Sequence, residues 1–115
     1  ARMSLRSTAD QRKAFFQAIV RKTKVKAMHA DALISSLWTE MRKGEIGRGK
    51  LRKASSEASF EINHRLAMHS GWTAAFIAAW YGRLKTLKEL VSNYNASLSL
   101  LDINGFTPLS VAAWA

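Results

Sequence analysis

The stretch "DINGFTPLSVAAWA", residues 102–115, decides how this chain folds. Gly105 suits a turn and Thr107 stands where a helix cap is wanted. Pro108 follows at a position where its missing amide costs nothing, because first-turn amides have no intrahelical partner. The same pattern occurs once before, offset by 34 residues, in "SGWTAAFIAAWY", residues 70–81. Gly71 falls on Gly105, Trp72 on Phe106 and Thr73 on Thr107. Ala78 and Ala79 fall on Ala112 and Ala113, and Trp80 falls on Trp114.

The residues between the two copies predict the rest of the unit. Thr73 caps a helix over 74–81, and Gly82 ends it with a positive φ. Leu84, Leu87, Leu90 and Val91 then form the apolar stripe of a second helix, to about Asn93. Asn93 and Asn95 suit the turn that follows. Two helices and a Gly turn, recurring with a period near 33, predict a stacked solenoid.

These residues resemble the ankyrin repeat, whose pattern runs G-x-T-P-L-H-x-A-A, then Gly, then an Ile/Val–Leu–Leu helix. "GFTPLSVAA" departs from it at Ser110, where His is usual. "GWTAAFIAAWYGRLKTLKELV" agrees at Gly71, Thr73, Ala78, Ala79, Gly82, Leu87, Leu90 and Val91, and departs at Ala74, Ala75 and Phe76. "NASLSLLD" replaces the family's Gly-Ala-Asp-x-Asn turn and is one residue longer. Residues 31–69 resemble a degenerate amino-terminal cap, with Gly44 corresponding to Gly82, Trp38 to Phe76 and Met41 to Ala79, given an insertion of four in the basic loop. The resemblance implies an all-α fold, a short ankyrin-like helical solenoid with a basic amino-terminal helical extension. It also implies protein binding, since the family overwhelmingly binds proteins and rarely catalyses. The expected division is an extension over 1–30, the cap over 31–69, and over 70–115 one complete repeat and half of another.

In the repeats Ala78, Ala79, Ala112 and Ala113 are small enough for neighbouring helices to approach; larger groups there would overpack, at roughly 1–3 kcal/mol each. Solenoids of this kind usually need three or more repeats. A terminal helix of about eight residues is marginal alone in water. Another surface is therefore expected to finish the stack, from a partner protein or from further sequence. Trp72, Phe76, Leu109, Val111 and Trp114 are the candidate protein-interface residues. Trp38 and Trp80 are expected in the core.

Working outward, the first half of the chain carries the charge. Of 115 residues, 18 are Lys or Arg and 8 are Asp or Glu, a net charge of +10. Residues 1–53 hold fourteen of those bases and four acids, whereas residues 54–115 hold four of each. Such segregation points to a polyanionic neighbour: RNA, anionic lipid or an acidic protein face. The candidates for that contact are Arg12, Lys13, Arg21, Lys22, Lys24, Lys26, Arg48, Lys50, Arg52 and Lys53. Ser7 or Thr8, with Gln11 completing a capping box, starts a basic amphipathic helix to about Met28, with Phe15, Phe16, Ile19 and Val20 along one stripe. "MHAD" is expected to break it, and Asp31 to cap a second helix over 32–42, where Ile34, Leu37, Trp38 and Met41 keep helical spacing. A short helix follows near residues 50–56.

Chemical motifs are few. "GEIGRGKL", residues 44–51, nearly spells a phosphate loop, but Leu51 replaces the hydroxyl that holds magnesium and no strand precedes it. Read as a turn, it leaves Arg48 and Lys50 free to touch a phosphate. His29, His64 and His69 lack metal-ligand spacing, and cysteine is absent. There is no serine elbow. No cofactor, no metal site, no dedicated small-molecule site and no catalytic residue are expected. No apolar run reaches membrane-spanning length. The expected role is a non-catalytic accessory subunit of a larger assembly; an RNA-binding ribosomal accessory protein, or a subunit held on an anionic membrane through residues 8–28, are the alternatives. The basic, acid-poor residues 1–30 resemble an organellar transit segment, which suggests mitochondrion or plastid, with cytosol otherwise.

Overall fold

The computed structural model describes residues 8–115; Ser7, Arg2 and Arg6 lie outside the described residues. Those described are all-α: five helices, one 3-10 turn and no strand beyond a single bridge between Leu66 and Trp72.

Helix α1, Ala9–Lys43, is one rod of 35 residues, about 52 Å long at 1.5 Å per residue. Its start is the predicted capping box: Gln11 N–H donates to Thr8 Oγ1 at 3.1 Å, and Thr8 N–H donates to Gln11 Oε1 at 3.0 Å. The expected break at Met28–Asp31 is absent. His29 and Asp31 cost at most about 0.7 kcal/mol each inside a helix, whereas a break would leave two further sets of unpaired backbone groups. Asp31 caps nothing and pairs instead with His64. Only the last part of α1 joins the core, through Ala30, Ile34, Leu37 and Met41.

Gly44 ends α1 with an extended φ of 169°, whereas Gly82 has φ +70°. The proposed correspondence between these two glycines therefore fails at the backbone. Helix α2, Arg48–Ser55, starts two residues before the expected position and buries Leu51. A loop and the 3-10 turn Ala67–His69 lead to helix α3, Ala74–Trp80, helix α4, Leu84–Tyr94, and helix α5, Pro108–Trp114. These last three agree with the expected boundaries to within a residue or so. Leu84 is exposed, so the α4 stripe buries Leu87 and Leu90 but not its first member.

Helix α3 is the centre. It packs against α1, α4 and α5, and six of its seven residues, Ala74 to Ala79, are buried. The Ile34, Leu37, Met41, Leu51, Leu66, Ile77, Leu87 and Leu90 side chains share its core. Polar bonds tie the two halves reciprocally. Arg83 Nε donates to the Met41 carbonyl at 2.7 Å, capping α1. The Glu45 carboxylate accepts from Thr86 N–H at 2.7 Å and Thr86 Oγ1 at 2.6 Å, capping α4. Burial would raise the Glu45 pKa; the bonds from Thr86 and Lys85 and the charge of Arg83 outweigh it and hold the pKa below 4.5.

Because the folded-state pKa is depressed, this stabilisation is present above the unfolded value and lost as pH falls through the folded one. Glu45→Gln should cost about 1 kcal/mol at pH 7, and the difference from the parent should shrink steadily in urea titrations taken to pH values below the ordinary carboxylate range. The two Thr caps should respond oppositely. Thr107 Oγ1 accepts from Ser110 N–H at 3.2 Å, but Thr73 Oγ1 is buried without a partner. Thr107→Ala should lower stability by about 1 kcal/mol, whereas Thr73→Val should leave the urea midpoint equal or raised.

Candidate interaction site

Two hairpin-like turns lie side by side at the tip of the helical layer. In the first, Leu66 N–H donates to the Trp72 carbonyl at 2.8 Å; in the second, Asp102 N–H donates to the Phe106 carbonyl at 2.8 Å. Each turns on a left-handed glycine, Gly71 at φ +73° and Gly105 at φ +81°, a conformation that costs other L-residues about 1–2 kcal/mol. Ile103 N–H donates to the Ser70 carbonyl at 3.0 Å and joins the two turns. The recurring Gly at an offset of 34 thus corresponds to recurring backbone geometry.

Asp102 organises this tip. Its Oδ1 accepts from Asn104 N–H and Phe106 N–H, both at 2.9 Å, and its Oδ2 accepts from the Trp72 indole N–H at 3.0 Å. Burial would raise its pKa; the bonds from Phe106, Trp72 and Asn104, with the nearby Gly105 amide, outweigh that and hold it below the usual carboxylate value, so the carboxylate is ionised at neutral pH. Beside it opens a cavity of about 220 Å³, lined by Asp102, Trp72, Trp80, Phe106, Val111 and Trp114 among others.

The five expected interface residues separate here. Trp114 and Leu109 are exposed, and Trp72 is half-buried at the cavity. Phe76 is wholly buried and stacked on Trp72 with ring centroids 5.9 Å apart. Val111 is buried as well. Both are corrections: Phe76 lies on the enclosed helix α3, and Val111 is one of the two residues that α5 buries. Trp80, expected in the core, is instead 40% exposed and forms a wall of the cavity. Its match to Trp114 in the other copy was the available signal, because helices stacked in register set equivalent residues on one face. Trp38 is half-buried against the core and donates its indole N–H to Tyr81 Oη at 3.1 Å.

The ten basic candidates fall on two elements. Arg12, Lys13, Arg21, Lys22, Lys24 and Lys26 are exposed on α1 and form no ion pair among the described residues. Arg52 and Lys53 are exposed on α2. Lys50 pairs with Glu40 at 2.8 Å and Arg48 with Glu89 at 3.6 Å, and the Lys50 bond holds the Glu40 pKa below its usual value. The loop before α2 also presents Glu45, whose oxygens accept from the start of α4. On α1, Phe15, Phe16, Ile19, Val20, Val25 and Met28 are all exposed. Two shallow grooves run along it, one past Phe15, Ile19 and Val25 and one past Phe16 and Val20. The apolar groups therefore occupy more than the single stripe expected.

No group of three or more His, Asp or Glu side chains suited to a metal ion occurs among the described residues, and no helix among them is long and apolar enough to cross a membrane. Comparison with protein-family models, with curated proteins and with solved structures finds no match.

Trp72→Phe should remove one donor from an ionised, buried carboxylate and cost about 1–3 kcal/mol. Denaturant unfolding checks this, with a larger loss than for Trp38→Phe, whose indole bond goes to a neutral hydroxyl.

Proposed function

We propose that this chain is a non-catalytic protein-interaction module, an ankyrin-like stack that docks as an accessory subunit in a larger assembly. One comparison within the molecule carries the reading. Ala78 and Ala79 are buried, at 0% and 3% exposure, with α5 packed against their helix. Their counterparts Ala112 and Ala113 on α5 are exposed, together with Leu109 and with Trp114 at 78%. The outer face of α5 thus offers the kind of small-residue surface, flanked by large apolar groups, that α3 uses to receive a neighbouring helix. Large apolar groups gathered beside a hydrogen-bonded tip are what a protein partner engages.

A second reading has its own observation. The six bases on the first half of α1 are exposed and form no ion pair among the described residues, which supports an additional contact with RNA or anionic lipid. Their interleaving with Phe15, Phe16, Ile19 and Val20 around the helix favours a surface that surrounds α1 over a flat one, which would suit separated faces better.

The test is isolation of the native complex with and without changes to each surface. Ala112→Glu with Trp114→Ala should release the protein partner while the far-ultraviolet circular dichroism stays unchanged, because both side chains are exposed. Arg21→Glu with Lys22→Glu and Lys24→Glu should abolish low-salt binding to RNA or anionic vesicles and spare that partner. Retention of the partner by the α5 double variant would refute the docking proposal.

A further inference from the structure

The cavity beside Asp102 combines a buried anion with aromatic walls. Asp102 is 7% exposed and has no cationic partner among the described residues. Arg65, whose guanidinium lies beside Gly71, donates to the Leu101 carbonyl and makes no ion pair with Asp102. Trp72 is already stacked on Phe76 and Trp38, so the available aromatic surface comes from Trp80, Phe106 and Trp114, each at least 40% exposed. Aromatic faces attract cations through their quadrupole, most strongly where water is excluded. At about 220 Å³ the cavity is smaller than the ~300–1,000 Å³ of sites that engulf whole ligands. It suits the end of a side chain.

We infer that this cavity receives a methylated lysine side chain of the docking partner, its quaternary ammonium set among Trp80, Phe106 and Trp114 with Asp102 as counter-charge. The choice of methylated over plain ammonium follows from the donor count. A carboxylate has about four acceptor sites, and N–H groups of Asn104, Phe106 and Trp72 already take three at Asp102. A plain ammonium would bring three strongly hydrated donors to a wall with few open acceptors. A trimethylammonium has no donor to satisfy and buries its methyl groups against the rings while keeping the charge. A polypeptide source is favoured over a free one because exposed Leu109, Ala112 and Ala113 share α5 with Trp114 and give flanking residues an apolar surface beyond the cavity. In that respect the inference rests on the protein-docking reading.

The test follows the indole N–H signals of the isotope-labelled chain by NMR. Four probes are added: the blocked amide of trimethyllysine, that of unmodified lysine, tetramethylammonium, and the neutral isostere 3,3-dimethylbutanol. Trimethyllysine should shift the Trp80 and Trp114 signals saturably in the millimolar range, with lysine and the neutral alcohol at least about tenfold weaker. Trp80→Ala should weaken binding roughly five- to thirtyfold. Trp80→Phe should restore most of it, and Phe106→Leu gives a second wall variant should Trp80→Ala fold poorly. Equal shifts from lysine or the neutral alcohol, or no saturable shift, would overturn the inference. Binding of tetramethylammonium without trimethyllysine would overturn the polypeptide source. The titration needs no partner, and the α5 double variant needs no methylated reagent, so the two proposals fail separately.

Discussion

Everything in this molecule is arranged around a seven-residue helix that is buried almost everywhere. A helix as short as α3 has no stability of its own, and it persists because α1, α4 and α5 enclose it. Enclosure on three sides demands small residues, which is why four of its seven are alanine. The cost is that α3 contributes few large apolar groups. Phe76 and Ile77 supply the bulk from within, and Met41, Leu51 and Leu90 from neighbouring elements. Polar caps do the remaining work. Arg83 and Glu45 close the ends of helices to which they do not belong, so α1 and α4 are each finished only when the other is in place.

The second half of the chain was readable because it is written twice. Two copies of a Gly-aromatic-Thr turn, followed by Ala-rich helices, specify both the turn conformation and the small-residue packing. The turn recurs at Gly71 and Gly105 with nearly the same φ, and the alanines are packed in the first copy. The first half carries no second copy to check against. There the local signals were misleading: Asp31 has the chemistry of a cap but sits in a stretch free of Gly and Pro, where continuing the helix is cheaper than ending it. Gly44 matches Gly82 by type, yet only a left-handed φ makes a glycine necessary, and Gly44 is extended.

Site residues were legible in proportion to how far their environment is local. Trp72 and Trp114 are half-buried and exposed, as their places at a turn tip and on a short helix suggest. The fates of Trp80, Phe76 and Val111 depend on how the two copies sit against one another. That relation fixes which face of each short helix is shared, and period alone does not state it. The ion pairs of Arg48 and Lys50 likewise depend on acids about 41 and 10 residues away. No motif marks Asp102, although it is the group on which three separate donors converge.

The unbroken course of α1 has a mechanical corollary. With no Gly, Pro or frayed turn between its buried and its exposed parts, the section from Ala9 to His29 is a rigid spoke of about 30 Å, angularly phased to the hub by the positions of Ala30 and Ile34. Anything gripping the spoke near Phe15 is held at a set distance and azimuth from α3. Because each residue of one continuous helix turns about 100°, the spacing between Phe15 and Ile34 fixes the direction in which the exposed aromatic groups face relative to the core.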